Sequence, residues 1–310
     1  MKKTVLMLAV LVSCATVHAG DSPRKLDVVG VSVSSLANPY FSALARGAQA
    51  RAEEINPRVR VIVTSAEYDV PAQVREIERF VSERADLILI AASHSTALAS
   101  ALRRARDAGI PVVAVDVDTE GAEVMIQSDN RSAGESVCRY LAGRLNGKGN
   151  FIIQNGPQVS SVTDRVAGCR AALKDFPNIR LLTDTGDGLA SPWGGSHLME
   201  EHVQRFPQID AIFAINDRQA LGAETVAVRR GMRKLLIGGV DGSPEVEDAL
   251  KRPGLIVVSA AQSPEEIGRR GVDSGLALRD GRGAERGRIL LQTNLVTRDN
   301  VAKYQGWNAR

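Results

Sequence analysis

Short apolar runs rich in Val and Ile alternate along this chain with segments whose apolar residues recur every three to four positions. The runs are Val28–Val33, Val59–Val63, Leu87–Ala91, Val112–Val115, Phe151–Ile153, Ala211–Ile215, Leu235–Val240 and Ile256–Ala260. Runs with so little polar alternation read as strands buried on both faces of a parallel sheet. Between them, Phe41, Leu44, Ala45, Ala48, Ala52 and Ile55 fall on one helical face, as do Val74, Ile77 and Val81, and Leu98, Leu102 and Ala105. Strands alternating with helices give βαβ units, hence an α/β fold. The series runs through about four strands and restarts at Val124–Gln127, which leads into a helix near Asn130. Two similar doubly wound parallel-sheet lobes are therefore expected in tandem.

The N-terminus has the form of a secretory leader over residues 1–19. Lys2 and Lys3 precede an apolar run, Val5–Val12, and Val17-His18-Ala19 offers small residues for cleavage. Export to the periplasm is expected. Leu11-Val12-Ser13-Cys14 also resembles a lipobox, so a lipid anchor on Cys14 is the alternative. Loss of Lys2 and Lys3 takes the net charge from +3 to about +1, which speaks against a nucleic-acid partner. Of the three cysteines, Cys138 and Cys169 survive cleavage. Both lie in helical patterns, which favours buried free thiols over a single bridge.

Catalytic constellations are missing. His197 and His202 are five apart on a helical pattern, a poor spacing for one metal. There is no Cys-x-x-Cys, no P-loop, no Gly-x-Gly-x-x-Gly after the first strand and no Gly-x-Ser-x-Gly. Neither an enzyme nor a cofactor is expected. What the chain does carry is Asn38, Asp116, Asn216, Asp241 and Gln262, each just after an apolar strand. Ligands of open α/β sheets bind at those carboxyl ends. Carboxylates and amides there can pair with hydroxyls that both donate and accept, while Tyr40, Phe41 or Trp193 could pack on the apolar C–H face of a sugar. Asn38-Pro39, Ser243-Pro244 and Ser263-Pro264 also read as helix starts, so a residue such as Asn38 can serve as a cap, a ligand contact or both.

These residues resemble the periplasmic sugar-binding proteins of the ribose-binding type, which share a core with the lac-repressor family. The likeness runs in order through Asn38-Pro39-Tyr40-Phe41, Ile110-Pro111-Val112-Val113 with Asp116, Ser128-Asp129-Asn130, Arg165 with Gly168, Ala211 to Asp217, Gly239-Val240-Asp241-Gly242 and Ala261-Gln262. It implies a first lobe of 27–128 plus 263–292, a second of 129–262 plus 293–310, and a three-segment hinge. It implies that Asn38 and Asp116 bind ligand hydroxyls from the first lobe. Asn216, Asp241 and Gln262 would do so from the second lobe or hinge, with Tyr40 and Phe41 packing on the ring. The partners implied are a sugar or polyol and the permease of an ABC importer, with a membrane sensor as the alternative and a monomeric state. The chain departs from the ribose pattern at Ala91, at Val117 and Thr163 where that pattern has arginines, and near Ala190 where an aromatic is expected. Thr163 and Arg165 are also candidate ligand contacts, although the family position of Arg165 implies a structural role near a helix start. A cleft with those changes favours a neutral monosaccharide or sugar alcohol over ribose, sugar phosphates and sugar acids.

Overall fold

The computed structural model describes residues 25–283 and 285–307. The leader over 1–19 and Cys14 lie outside the described residues. The chain opens with β1 (Val28–Val33), α1 (Pro39–Ile55), β2 (Arg60–Ser65), α2 (Val70–Ser82), β3 (Leu87–Ile90), α3 (Ala99–Asp107), β4 (Val112–Val115) and β5 (Val124–Ser128). A second series follows: α4 (Asn130–Arg144), β6 (Lys148–Gln154), α5 (Ser160–Leu173), β7 (Asn178–Thr183), α6 (Pro192–Arg205), β8 (Ala211–Ala214), α7 (Asp217–Arg229), β9 (Leu236–Asp241), α8 (Pro244–Leu250) and β10 (Ile256–Ala261). The chain ends with α9 (Pro264–Arg279), β11 (Gly287–Leu291), β12 (Asn294–Thr297) and a 3₁₀ turn at Val301–Lys303.

Two six-stranded sheets result, in the orders β11-β5-β4-β3-β1-β2 and β12-β10-β9-β8-β6-β7. The pairing is parallel except where β12 runs antiparallel to β10. Successive residues of the central strands enter opposite cores, as the two-residue strand period requires. Leu87 and Leu89 join one cluster, while Ile88 and Ile90 join the cluster on the other face. In the second sheet Phe151 and Ile153 lie on one side and Ile152 on the other. Burial on both faces explains why these strands are apolar at every position. The chain crosses between sheets three times: from β5 into α4, from β10 into α9, and from β11 into β12. Two crossings are tied together, Asp129 N donating to Leu291 O at 2.8 Å.

In the second lobe α4 and α5 pack at backbone distance. A Cβ on Gly134 would collide with the Arg165 carbonyl, and one on Gly168 with the Arg131 carbonyl. Cys138 stands one turn beyond Gly134 and Cys169 directly after Gly168, and they form a disulfide with Cα atoms 5.2 Å apart. This corrects the expectation of free thiols. Helical patterning shows that both cysteines face inward, but only the close helix crossing brings them together.

Candidate functional site

The carboxyl ends of the two sheets face each other across a cleft. It encloses a cavity of about 90 Å³ lined from both lobes. At roughly 10–15 Å³ of such space per water, the volume suits a small solute that displaces roughly six to nine waters. Asn38, Tyr40, Phe41, Asp116, Arg165, Asn216, Asp241 and Gln262 all line it. Thr163 does not, which corrects its place among the site residues. It is exposed, and its hydroxyl donates to Ser160 O at 3.0 Å. Thr163 and Arg165 are two residues apart on a helix, so they point to nearly opposite sides.

Local structure explains how the polar groups are held. Asn38 caps α1, its Oδ1 accepting from Tyr40 N at 3.1 Å. Asn216 caps α7 by accepting from Gln219 N at 2.9 Å, and its Nδ2 donates to Ala190 O at 3.1 Å. Each of these amides keeps bonding capacity for a ligand after its capping bond is made. Asp116 and Asp241 end their strands at φ values of +73° and +136°. Such conformations are costly for a residue with a side chain and cluster at functional sites. Here they turn two carboxylates into the cleft.

The floor is a connected polar network. The Tyr40 hydroxyl donates to Gln262 Oε1 at 3.4 Å. Gln262 Nε2 donates to Asp241 Oδ1 at 2.8 Å. Arg165 is buried, donating from Nε to Asn130 Oδ1 and from a terminal nitrogen to Ile215 O, each at 2.8 Å. The same terminal nitrogen stands 3.6 Å from Asp241 Oδ1. Arg165 is thus both a structural clamp and a cation in the cleft. Burial pushes the Asp116 carboxyl above its usual range, against the opposing pull of the Arg165 charge and the nearby Tyr40 hydroxyl. Burial likewise pushes Asp241 up to about 6, opposed by Arg165 and Gln262. Asp217, beneath them, is raised well above its usual range by burial first and then by the charge of Asp241. Its carboxylate accepts from Ser259 Oγ at 2.6 Å and Ser243 N at 2.7 Å.

Among the described residues the lining contains no histidine, cysteine or lysine. Its chemistry is that of paired donors and acceptors around a small solute held between two α/β lobes, and a profile of known domains agrees. The periplasmic binding protein domain matches residues 29–283.

The chain belongs to the periplasmic binding protein family.

Members named as ribose import binding proteins are among its relatives. That of Bacillus subtilis (strain 168) is 30% identical, covering 79% of this chain and 79% of the relative. That of Escherichia coli (strain K12) is 28% identical, covering 88% of this chain and 91% of the relative. Among solved structures, an ABC transporter solute-binding protein from Bacillus halodurans C-125 with bound myo-inositol superposes with a TM-score of 0.82. It is 25% identical and covers 92% of this chain and 99% of that one. The family's two-lobe parallel-sheet architecture is the one described above.

Several cavity or near-cavity residues escaped the sequence reading. Ser93 lines the cavity with a buried Oγ that bonds no protein group, so its hydroxyl is available to a ligand. Tyr68 lines it from the β2–α2 loop at φ +60°, directly after Glu67 at φ +49°. Ser161 lines it from the first turn of α5. Trp307 stands behind the site, its ring edge-on to Tyr40 at 5.8 Å and its Nε1 donating to Asp241 O at 3.0 Å. Ser93 and Tyr68 each stand three residues after a strand, β3 and β2, so the strand-end signal that exposed the others could have found them; Ser161 and Trp307 carry no such signal. Trp193, considered for the aromatic platform, is 67% exposed and stacks on His197 instead, while Ala190 lines the cavity.

Proposed function

We propose that this chain is the exported binding component of an ABC importer and takes up a neutral monosaccharide or sugar alcohol between its lobes. The observation that supports this most is the cavity floor. Asp116, Asp241, Asn38, Asn216, Gln262 and Arg165 converge on one small space from both lobes and the crossing strands. Hydroxyls that donate to a carboxylate while accepting from an amide or guanidinium satisfy such a set in pairs. Two carboxylates stand against the Arg165 guanidinium, with the charge of Arg218 also acting on Asp241, so the cleft holds no cationic excess to offset the dehydration of an anionic ligand.

In this reading the lobes follow the boundaries 27–128 plus 263–292 and 129–262 plus 293–310. Ligand contacts from both lobes favour the closed form by their differential affinity. The closed monomer then docks on a membrane permease in the periplasm, releases its cargo and performs no catalysis.

The test is native mass spectrometry of the purified protein, followed by a thermal-shift screen of sugars, polyols and aldonates. A matched neutral ligand at ~100 times its dissociation constant should add about 2.7 kcal/mol of stability. Aldonates that stabilise the protein while every neutral compound is silent would overturn the reading.

A further inference from the structure

The cavity lining is of two kinds. Beside the polar groups stands an apolar wall: Val117 just after β4, Val159 just before α5, and Val162 on its first turn, with Pro157, Ala190 and Ile215 also lining the cavity and Ser161 the one hydroxyl on that turn. Val117 and Val162 are 5% and 4% exposed. Val159 packs against the hydrophobic clusters of both lobes, so the wall is assembled only where the lobes meet. We propose that the ligand carries an apolar edge, a deoxy carbon or an O-methyl group on an otherwise polyhydroxylated frame, and that Val117, Val159 and Val162 receive it. This rests on the sugar or polyol reading above and narrows it.

The physical reason is selective desolvation. A hydroxyl turned toward this wall loses water and finds no partner among the valine side chains, whereas a methyl or methylene group is favoured there. The floor presents the reverse preference, because its carboxylates, amides and guanidinium each lose bonds to water that only polar ligand atoms replace. A ligand hydroxylated on every side satisfies the floor and is penalised at the wall. A ligand with one apolar edge has a single orientation that satisfies both. Discrimination between partners that differ by one such group is of the order of tenfold or more.

The experiment is calorimetric titration of the full mature chain with matched pairs: D-galactose and D-fucose, L-mannose and L-rhamnose, myo-inositol and its mono-O-methyl ethers. In the pair that binds, the deoxy or methylated member should bind roughly tenfold tighter or more. Val159→Thr, of nearly the same shape with one added hydroxyl, should narrow that ratio several-fold. A hydroxylated member that binds equally well or better overturns the inference and leaves the sugar-binding reading standing. Failure of every sugar and polyol to bind overturns that reading, and the inference with it.

Discussion

Asp118 N donates to Ser160 Oγ at 2.8 Å, joining the segment after β4 in the first lobe to the start of α5 in the second. Arg288, on the first sheet's edge strand, ion-pairs with Asp118 and stands 4.0 Å from Asp164 of α5. These contacts span the cleft beside the cavity, so they form only when the lobes are together. A neutral hydrogen bond of this kind contributes about 0.5–1.5 kcal/mol. Ser160→Ala should therefore weaken binding of the matched ligand by up to about tenfold while leaving the apo melting temperature nearly unchanged. Small-angle scattering should show the radius of gyration falling on ligand addition. A radius unchanged at saturation would argue against a hinged clamp.

Asp241 joins the floor network to both Trp307 and Arg165. Asp241→Ala should cost on the order of 2 kcal/mol of ligand binding or more, because bonds to charged groups are the stronger kind. Its backbone at φ +136° makes a second substitution informative. Asp241→Gly removes the same carboxylate and also relieves the strain, which is of order 1–3 kcal/mol. The glycine variant should thus unfold at higher denaturant than the alanine variant. Equal midpoints would show that the turn is unstrained.

The same carboxyl gives a pH dependence with a definite sign. Its pKa rises from 3.8 to about 6 in the folded chain, chiefly through burial. The folded state therefore binds the proton more tightly than the unfolded one. That contribution to stability is fully present below about pH 4 and is lost as pH rises through about 6. The apo protein should gain more stability between pH 7 and pH 5 than Asp241→Asn does, measured by thermal melts in matched buffers. Affinity for a ligand that donates to the ionised carboxylate should weaken over the same interval. Identical pH profiles for wild type and variant would remove Asp241 as the cause.

The Cys138–Cys169 bridge closes a loop with a sequence separation of 31. Loop-closure arguments assign such a bridge roughly 3–4 kcal/mol. A Cys138→Ala, Cys169→Ala double variant should show a lower denaturation midpoint by about that energy. It should still bind ligand where it is folded, since Arg165 keeps its bonds to Asn130 and Ile215. A midpoint shift below about 1 kcal/mol would show that the helix crossing needs no covalent tie.

The apolar runs determined that this chain builds two parallel sheets, because strands buried on both faces must be apolar at each position. The same pattern misses β7, β11 and β12, which lie at or near sheet edges and carry polar or half-exposed residues such as Asn178, Arg180 and Arg288. Site residues that end strands or cap helices, Asn38, Asp116, Asn216 and Asp241, were legible for one reason: in this fold those positions face the cleft. Tertiary structure alone decided the rest. Helix phase turned Thr163 outward and Arg165 inward, and the close approach of α4 and α5 paired two cysteines that sequence leaves apart. Trp307 reached the back of Asp241 through a chain crossing between lobes. These outcomes depend on which surfaces meet in space, and local patterning carries no record of that.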